Sequence, residues 1–256
     1  MHPAVKNILF WPYQLWVWLV LAPFVAIWSL TCGFLAVLVA ATVSQSFASR
    51  FIARPWARVC AWLTPIFVTV EGAENADPNQ SYIIVCNHES QYDILLIYGW
   101  LNLDVRWVMK KELRKIPGIG IGCEKVGHII VDRKDPEQAR AAINDALQVL
   151  GNDIGILFFP EGTRSRDGRL LPFKKGAFRV AIEQQVPLLP MTVIGTRDVL
   201  SAKSMRLFPG RVKLVIHPPI DTSGMDLQSI RELMDQARAV IESARLGSPD
   251  GSDQPA

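Results

Sequence analysis

Between Asn7 and Ser49 this 256-residue chain carries no charged side chain, and Ile8 to Val43 is apolar almost throughout. A bilayer core is spanned by about 20 apolar helical residues, so residues 1-66 read as membrane-anchoring helices ahead of a folded domain. A cleaved leader has an apolar region of only about 7 to 15 residues ending at a small-residue site. This segment is longer and holds Trp11, Trp16, Trp18 and Trp28, which argues against cleavage. Pro12, Pro23 and Gly33 are the positions at which it would kink or break, leaving either a helical hairpin or one span followed by an interfacial helix. A second helix is expected from about Ser46 to Ile66, where Arg50, Arg54 and Arg58 recur every four residues and share a face. The plainer reading of that stripe is a solvated charged face. Beside an apolar segment it also suits membrane lipids with anionic headgroups, and it places this end on the cytoplasmic face of an inner membrane.

The rest of the chain is composed for one α/β domain, 67-247, followed by a polar tail, 248-256, with the composition of disorder. Half of all residues are hydrophobic, enough for a sizeable core. Net charge is only +3, and no long basic run or RNA-binding signature occurs, so nothing calls for nucleic acid. Cys32, Cys60, Cys86 and Cys123 stand far apart; no Cys-x-x-Cys pair suggests zinc or a redox couple, and isolated thiols fit a reducing compartment.

After a surface turn from Glu74 to Ser81, short apolar runs alternate with amphipathic stretches, the pattern of a central sheet with flanking helices. Expected strands are Tyr82 to Cys86, Val105 to Met109, His128 to Val131, Ile154 to Phe159, Leu188 to Ile194 and Val212 to His217. The best-signalled helix starts at Asp135, a cap, with Pro136 in its first turn and an apolar stripe ending before Gly151. Further helices are expected at about Lys175 to Gln184 and Leu227 to Ala244.

Two motifs can do chemistry. In Asn87-His88-Glu89-Ser90-Gln91-Tyr92-Asp93 the histidine and aspartate are five residues apart, about 140° on a continuous helix, so they meet only if His88 sits just before the helix. That is a strand-to-helix turn at the carboxyl edge of a sheet, where open α/β folds place their ligands. An imidazole held there by a carboxylate can act as a general base. The plainer account is a capping box, Ser90-x-x-Asp93, in which Asp93 serves only the backbone. The second motif, Phe159-Pro160-Glu161-Gly162-Thr163-Arg164-Ser165, follows a strand and is trailed by Arg166, Arg169, Lys174 and Lys175. Gly162 would let backbone N–H groups approach an anion, and Arg164 offers a planar fork for phosphate; an exposed basic loop is the plainer alternative.

Other chemistries fail on spacing. His88-Glu89 opens like a zinc peptidase motif, but Tyr92 stands where the second histidine belongs. No Gly-x-Ser-x-Gly elbow exists, so a base at His88 would activate a nucleophile belonging to the substrate. The run Pro117 to Gly122 misses the dinucleotide fingerprint, since Cys123 occupies its last position; a loop lining an apolar groove suits it better.

Four ordered blocks resemble the phosphate-lipid acyltransferases, and within them the bacterial 1-acyl-sn-glycerol-3-phosphate acyltransferases. They are His88-x4-Asp93; Gly127 to Arg133; Phe159 to Ser165; and Val186-Pro187-Leu188-Leu189-Pro190. The resemblance spans about Tyr82 to Thr196. It implies the glycerolipid acyltransferase fold and direct transfer from an acyl thioester to the 2-hydroxyl of lysophosphatidic acid. His88 would be the base and Asp93 its orienter. Arg133, Arg164, Glu161, Gly162 and Thr163, with Lys110, would bind the acceptor, and Val186, Pro187, Leu188 and Pro190 would shape the acyl pocket. The donor would be acyl-CoA or acyl carrier protein, with no cofactor and no metal. The alternatives are a related lysophospholipid acyltransferase with another acceptor and a non-catalytic membrane lipid-binding protein. Gly118, Gly120 and Gly122 stand where family members often carry bulkier residues, and are expected to widen the acyl groove.

Overall fold

The computed structural model describes residues 3–116, 119–132, 135–149, 153–202 and 204–246. Its N-terminal part is a continuous helical rod made of α1 (Pro3–Trp16), a π-wound turn at Val17–Leu21, and α2 (Ala22–Thr42). Neither Pro12, Pro23 nor Gly33 breaks it. A proline has no N–H for the preceding turn and crowds its carbonyl; the wider π turn just ahead of Pro23 accommodates that ring. The device recurs at Ser49–Ala53, π-wound just before Pro55, so that α3 (Gln45–Ala48) runs on into α4 (Arg54–Leu63). From Phe10 to Thr42 the rod is long and apolar enough to cross a membrane, and only 22% of its most apolar window is buried in the molecule, unlike a core helix.

The chain reverses at residues 43–44, where Ser44 Oγ accepts the Phe47 N–H at 3.0 Å and caps α3. The second helix then returns along the rod, fixed by Trp56 Nε1 donating to Ser29 Oγ at 2.9 Å. The hairpin is therefore made by the rod and α3–α4, with no break inside the apolar segment. The arginine stripe also departs from expectation. Arg54 Nη2 donates to the carbonyls of Leu101 at 3.1 Å and Leu103 at 2.9 Å, and Arg58 Nε to that of Gly99 at 2.7 Å. Both close the C-terminal end of α5 (Tyr92–Trp100), whose last carbonyls have no partner within the helix. Arg50 alone of the three is fully exposed.

Among the described residues seven strands form one sheet: β1 (Ile66–Glu71), β2 (Tyr82–Cys86), β3 (Asp104–Lys110), β4 (Ile129–Val131), β5 (Ile154–Phe158), β6 (Leu188–Ile194) and β7 (Gly210–Ile216), in the order β1-β7-β6-β2-β5-β3-β4. Neighbours are parallel except β6 and β7. The strand absent from the sequence reading is β1, an edge strand whose Phe67, Thr69 and Glu71 are exposed; the arginine-rich helix was carried up to it. Its helices are completed by α6 (Ile119–Lys125), α7 (Pro136–Val149), α8 (Gly176–Gln184), α9 (Thr196–Val199) and α10 (Ile230–Leu246).

Both faces of the sheet are covered, which is why β2 is buried throughout instead of alternating. Tyr82, Ile84 and Cys86 pack into the cluster shared with α4 and α5, whereas Ile83 and Val85 pack under α7, α8 and α10. The carboxyl ends of the parallel strands β2, β5, β3 and β4 consequently open along one edge. Replacing Arg54 by Met should remove the donors from Leu101 and Leu103 and destabilise the protein by roughly 1–3 kcal/mol, seen as a melting temperature lowered by several degrees. An unchanged melting curve would show that the α5 cap does not depend on it.

Candidate active site

His88 lies two residues beyond the end of β2, before α5 begins at Tyr92. Its Nδ1 is 2.8 Å from Asp93 Oδ2, while the same oxygen accepts the backbone N–H groups of Glu89 at 2.7 Å and Ser90 at 2.9 Å. Thr196 Oγ1, at the start of α9, donates to Asp93 Oδ1. The capping box and the His88–Asp93 pair are thus one arrangement: Asp93 caps the turn and orients the imidazole together. Asp93 is fully buried, and accepting from Nδ1–H fixes the tautomer that leaves Nε2 as the basic atom. Phe159 stacks on the imidazole, with centroids 3.9 Å apart and planes 16° from parallel. Ser90 Oγ accepts the Tyr92 N–H at 3.1 Å and donates to the Leu200 carbonyl at 2.7 Å, closing the turn.

The loop after β5 is built around the backbone of His88. Glu161 Oε1 accepts the His88 N–H at 2.7 Å and Oε2 accepts the Leu171 N–H at 2.8 Å, while the Ser165 N–H donates to the His88 carbonyl at 2.7 Å. Glu161 is buried, and burial raises its pKa. The structure therefore gives both its carboxylate oxygens to backbone donors that join the loop to the base. Gly162 has φ +73°, and its N–H closes a turn on the Phe159 carbonyl at 3.0 Å. A Cβ there would lie 2.7 Å from Lys174 Nζ. What this glycine admits is the Lys174 ammonium, leaning over the loop, a group to which sequence reading gave no role. Thr163 is exposed and Arg164 half-buried on the same loop.

Lys110 ends β3 opposite Val131 of β4, so it emerges at the same edge and is exposed. Arg133 lies outside the described residues. The Val186 to Pro190 block is placed elsewhere: Leu188 pairs with Ile83 and Pro190 with Val85, so Val186, Pro187 and Leu188 stand at the amino edge of the sheet, away from His88. Leu188 is fully buried in the core beneath α8 and α10.

A small apolar cavity of about 50 Å³, open to one side, lies between the rod, α4, α5, β3 and α6, lined by Cys32, Gly33, Trp56, Tyr98, Trp107 and Gly122 among others. The glycines of α6 have distinct uses. Gly122 borders the cavity and abuts the rod, since a Cβ on it would sit 3.2 Å from Gly33 Cα. Gly120 packs against backbone, since a Cβ on it would sit 2.1 Å from the Arg114 carbonyl oxygen. Gly118 lies outside the described residues.

Other titratable groups nearby are unsuited to proton transfer. Burial and the Arg106 guanidinium lower His128 to about 3, so it stays neutral. Burial, then the Asp93 and Glu161 carboxylates, push the Cys86 thiol well up, which rules it out as a nucleophile. Glu89 is the exception. It is buried beside Asp93 and Glu161, and burial raises it from its ordinary 4.5 to about 7 although Arg245 Nη2 reaches its Oε1 at 2.9 Å.

Comparison with known proteins points one way. The acyltransferase family pattern matches residues 67–194. The chain is 33% identical over 227 residues to mouse (Mus musculus) 1-acyl-sn-glycerol-3-phosphate acyltransferase alpha, covering 88% of this chain and 80% of the relative. It is 32% identical to the human (Homo sapiens) protein of that name over 88% and 80% of the two chains. Among solved structures, the crystal structure of the 1-acyl-sn-glycerophosphate (LPA) acyltransferase PlsC from Thermotoga maritima superposes with a TM-score of 0.75 at 27% identity, over 93% of this chain and 95% of that one.

The raised Glu89 makes stability depend on pH in a defined direction. Folding holds this proton more tightly than the unfolded chain does, so folding is disfavoured progressively as pH rises from 4.5 to about 7, by roughly 3 kcal/mol in all. Glu89→Gln should remove that slope. Melting temperatures of wild type and variant measured between pH 4.5 and 8 should diverge, the wild type losing ground as pH rises; parallel curves would show that Glu89 does not titrate there.

Proposed function

Since the chain belongs to the 1-acyl-sn-glycerol-3-phosphate acyltransferase family, and is an acyltransferase, we propose that it esterifies the free 2-hydroxyl of lysophosphatidic acid to give phosphatidic acid. The observation that carries this reading is the pairing of His88 Nδ1 with Asp93 at the sheet edge from which the Arg164 and Lys174 loop also emerges. His88 Nε2 takes the proton of the acceptor hydroxyl as that oxygen attacks the thioester carbonyl carbon. The carbon–sulfur bond breaks, and the imidazolium returns the proton to the leaving thiolate. Asp93 stabilises the imidazolium and holds the ring, and a fully buried carboxylate with four donors does so without reorganising.

Arg164 and Lys174, with Lys110 from β3 and Arg133 after β4, are the cations we assign to the acceptor phosphate. Glu161 acts at one remove by holding the His88 backbone against this loop. The acyl chain is assigned to the cavity beside Gly122 and Trp107 in place of the Val186 to Pro190 block, because its lining is almost wholly apolar. The donor is acyl-CoA or acyl carrier protein, both acidic carriers suited to a basic rim. The rod from Phe10 to Thr42 supports anchoring in the inner membrane with the catalytic domain on the cytoplasmic face.

Acyl transfer measured on membranes with a panel of lysolipid acceptors and both donors tests the reading. His88→Ala should lower kcat by at least about a thousandfold at unchanged protein amount. Arg164→Ala should chiefly raise KM for the phosphorylated acceptor, by about tenfold or more. Near-normal turnover in His88→Ala, or equal use of zwitterionic lysolipids by the wild type, would sink the base or the acceptor respectively.

A further inference from the structure

Two arginines seven residues apart on one helix share a face, and on α10 that face meets the active-site loop. Arg238 Nη1 donates to the Leu171 carbonyl at 2.8 Å and Nη2 to that of Leu170 at 2.9 Å, while its guanidinium lies 5.5 Å from the Phe173 ring centroid. Two turns on, Arg245 Nη2 donates to Glu89 Oε1 at 2.9 Å and also to the Gly168 carbonyl. Glu89 belongs to the turn between His88 and Asp93. Gly168, Leu170 and Leu171 belong to the loop carrying Arg164, and Leu171 is the residue whose N–H reaches Glu161 and through it the His88 N–H. Arg245 therefore touches both halves of the site at once.

A buried ion pair gives little net stability, because desolvating both charges offsets their attraction. This one is also crowded by acids. Glu89 faces Arg245 from α10, Asp93 from α5 and Glu161 from the loop after β5, with Asn87 Nδ2 at 3.4 Å from the end of β2. Of these, Arg245 alone is a cation. What it supplies is placement: without it Glu89 is left beside two carboxylates, and the Gly168 carbonyl loses its donor.

We propose that Arg245, assisted by Arg238, is a positioning residue for acyl transfer, clamping the loop that receives the acceptor phosphate to the turn that carries the catalytic base. Both lie beyond residues 67–194 matched by the family pattern, so α10 is an addition to the site from outside that core. The inference rests on the acceptor reading above. It predicts a selective defect, because the His88–Asp93 pair keeps its own bonds when the clamp is lost, whereas the phosphate loop shifts and a displacement of about 1 Å costs up to about a hundredfold in kcat/KM.

The test uses the full chain reconstituted in phospholipid vesicles, with initial rates for lysophosphatidic acid and acyl-CoA. Arg245→Met should raise KM for lysophosphatidic acid about tenfold, leave KM for acyl-CoA within about twofold, and lower kcat by less than the rise in KM. Arg245→Lys, which keeps the charge but loses the planar fork, should fall between Met and wild type. A purely structural role would reduce the amount of active enzyme, so that kcat falls and neither KM moves; that result, or wild-type kinetics, overturns the proposal. If Arg245→Met does not accumulate as folded protein, the double variant Glu89→Gln/Arg245→Met, which removes both charges, is measured in its place against the same criteria. Should the wild type use another phosphorylated lysolipid instead, the acceptor reading fails, and the same comparison on that acceptor still decides the role of Arg245.

Discussion

Everything at the active edge hangs on one buried carboxylate. Asp93 receives the His88 imidazole, two consecutive backbone N–H groups and the Thr196 hydroxyl, and no part of it reaches solvent. Four donors offset the desolvation that an isolated carboxylate could not withstand. The same four bonds settle geometry. They start α5, fix the turn that brings His88 back over the helix, and tie α9, which packs in the same cluster as α5, to Asp93. Replacing this carboxylate would therefore disturb a helix start and a tertiary contact along with the chemistry, and a loss of activity on its replacement would be a weaker diagnosis of catalysis than a loss at His88.

The opposite end of α5 is fastened just as firmly, and to a different part of the molecule. Arg54 and Arg58 of the second anchor helix occupy the carbonyls of Gly99, Leu101 and Leu103. One nine-residue helix thus has Asp93 in its first turn and the N-terminal helical hairpin at its last. α5 thus joins the His88 turn at one end to the N-terminal helical hairpin at the other through these carbonyl bonds. Cation–carbonyl bonds suit this join better than ion pairs would, since salt screens them less than it screens exposed opposite charges.

Much of this was legible in the sequence because it is local. At their spacing His88 and Asp93 meet only if His88 stands on a turn before the helix, and six of the seven strands announce themselves as apolar runs bounded by turns. The edge strand β1 escaped because Phe67, Thr69 and Glu71 face outward and its inward residues follow directly on a helical arginine pattern. What was not legible depends on sheet order. Thr196 reaches Asp93, and Arg245 reaches Glu89, across separations of 103 and 156 residues, and no periodicity encodes which strand end meets which helix. Lys174 was visible as a charge, but its place over Gly162 needed the φ of that glycine. For the Val186 to Pro190 block, given to the acyl pocket by resemblance, register with β2 is what the sequence could not supply: it sets Leu188 against Ile83 and Pro190 against Val85, so that Val186, Pro187 and Leu188 lie at the amino edge of the sheet.

The rod has a role in the domain that its hydropathy alone does not convey. Cys32, Gly33 and Ala36 form one wall of the apolar cavity, and Gly33 meets Gly122 of α6 at a close crossing, where a Cβ on Gly122 would sit 3.2 Å from Gly33 Cα. Glycine at such a contact is favoured because backbones approach and pack with no side-chain ordering. A cavity walled on one side by the anchor cannot keep water out once that anchor is removed. The apolar linings of Trp56, Tyr98 and Trp107 would then face solvent, and the cost scales with the area exposed. The rod and the α/β domain therefore fold as one unit. The charge-free segment is thereby packed into the folded domain as one wall of its apolar cavity, besides being long and apolar enough to cross a membrane.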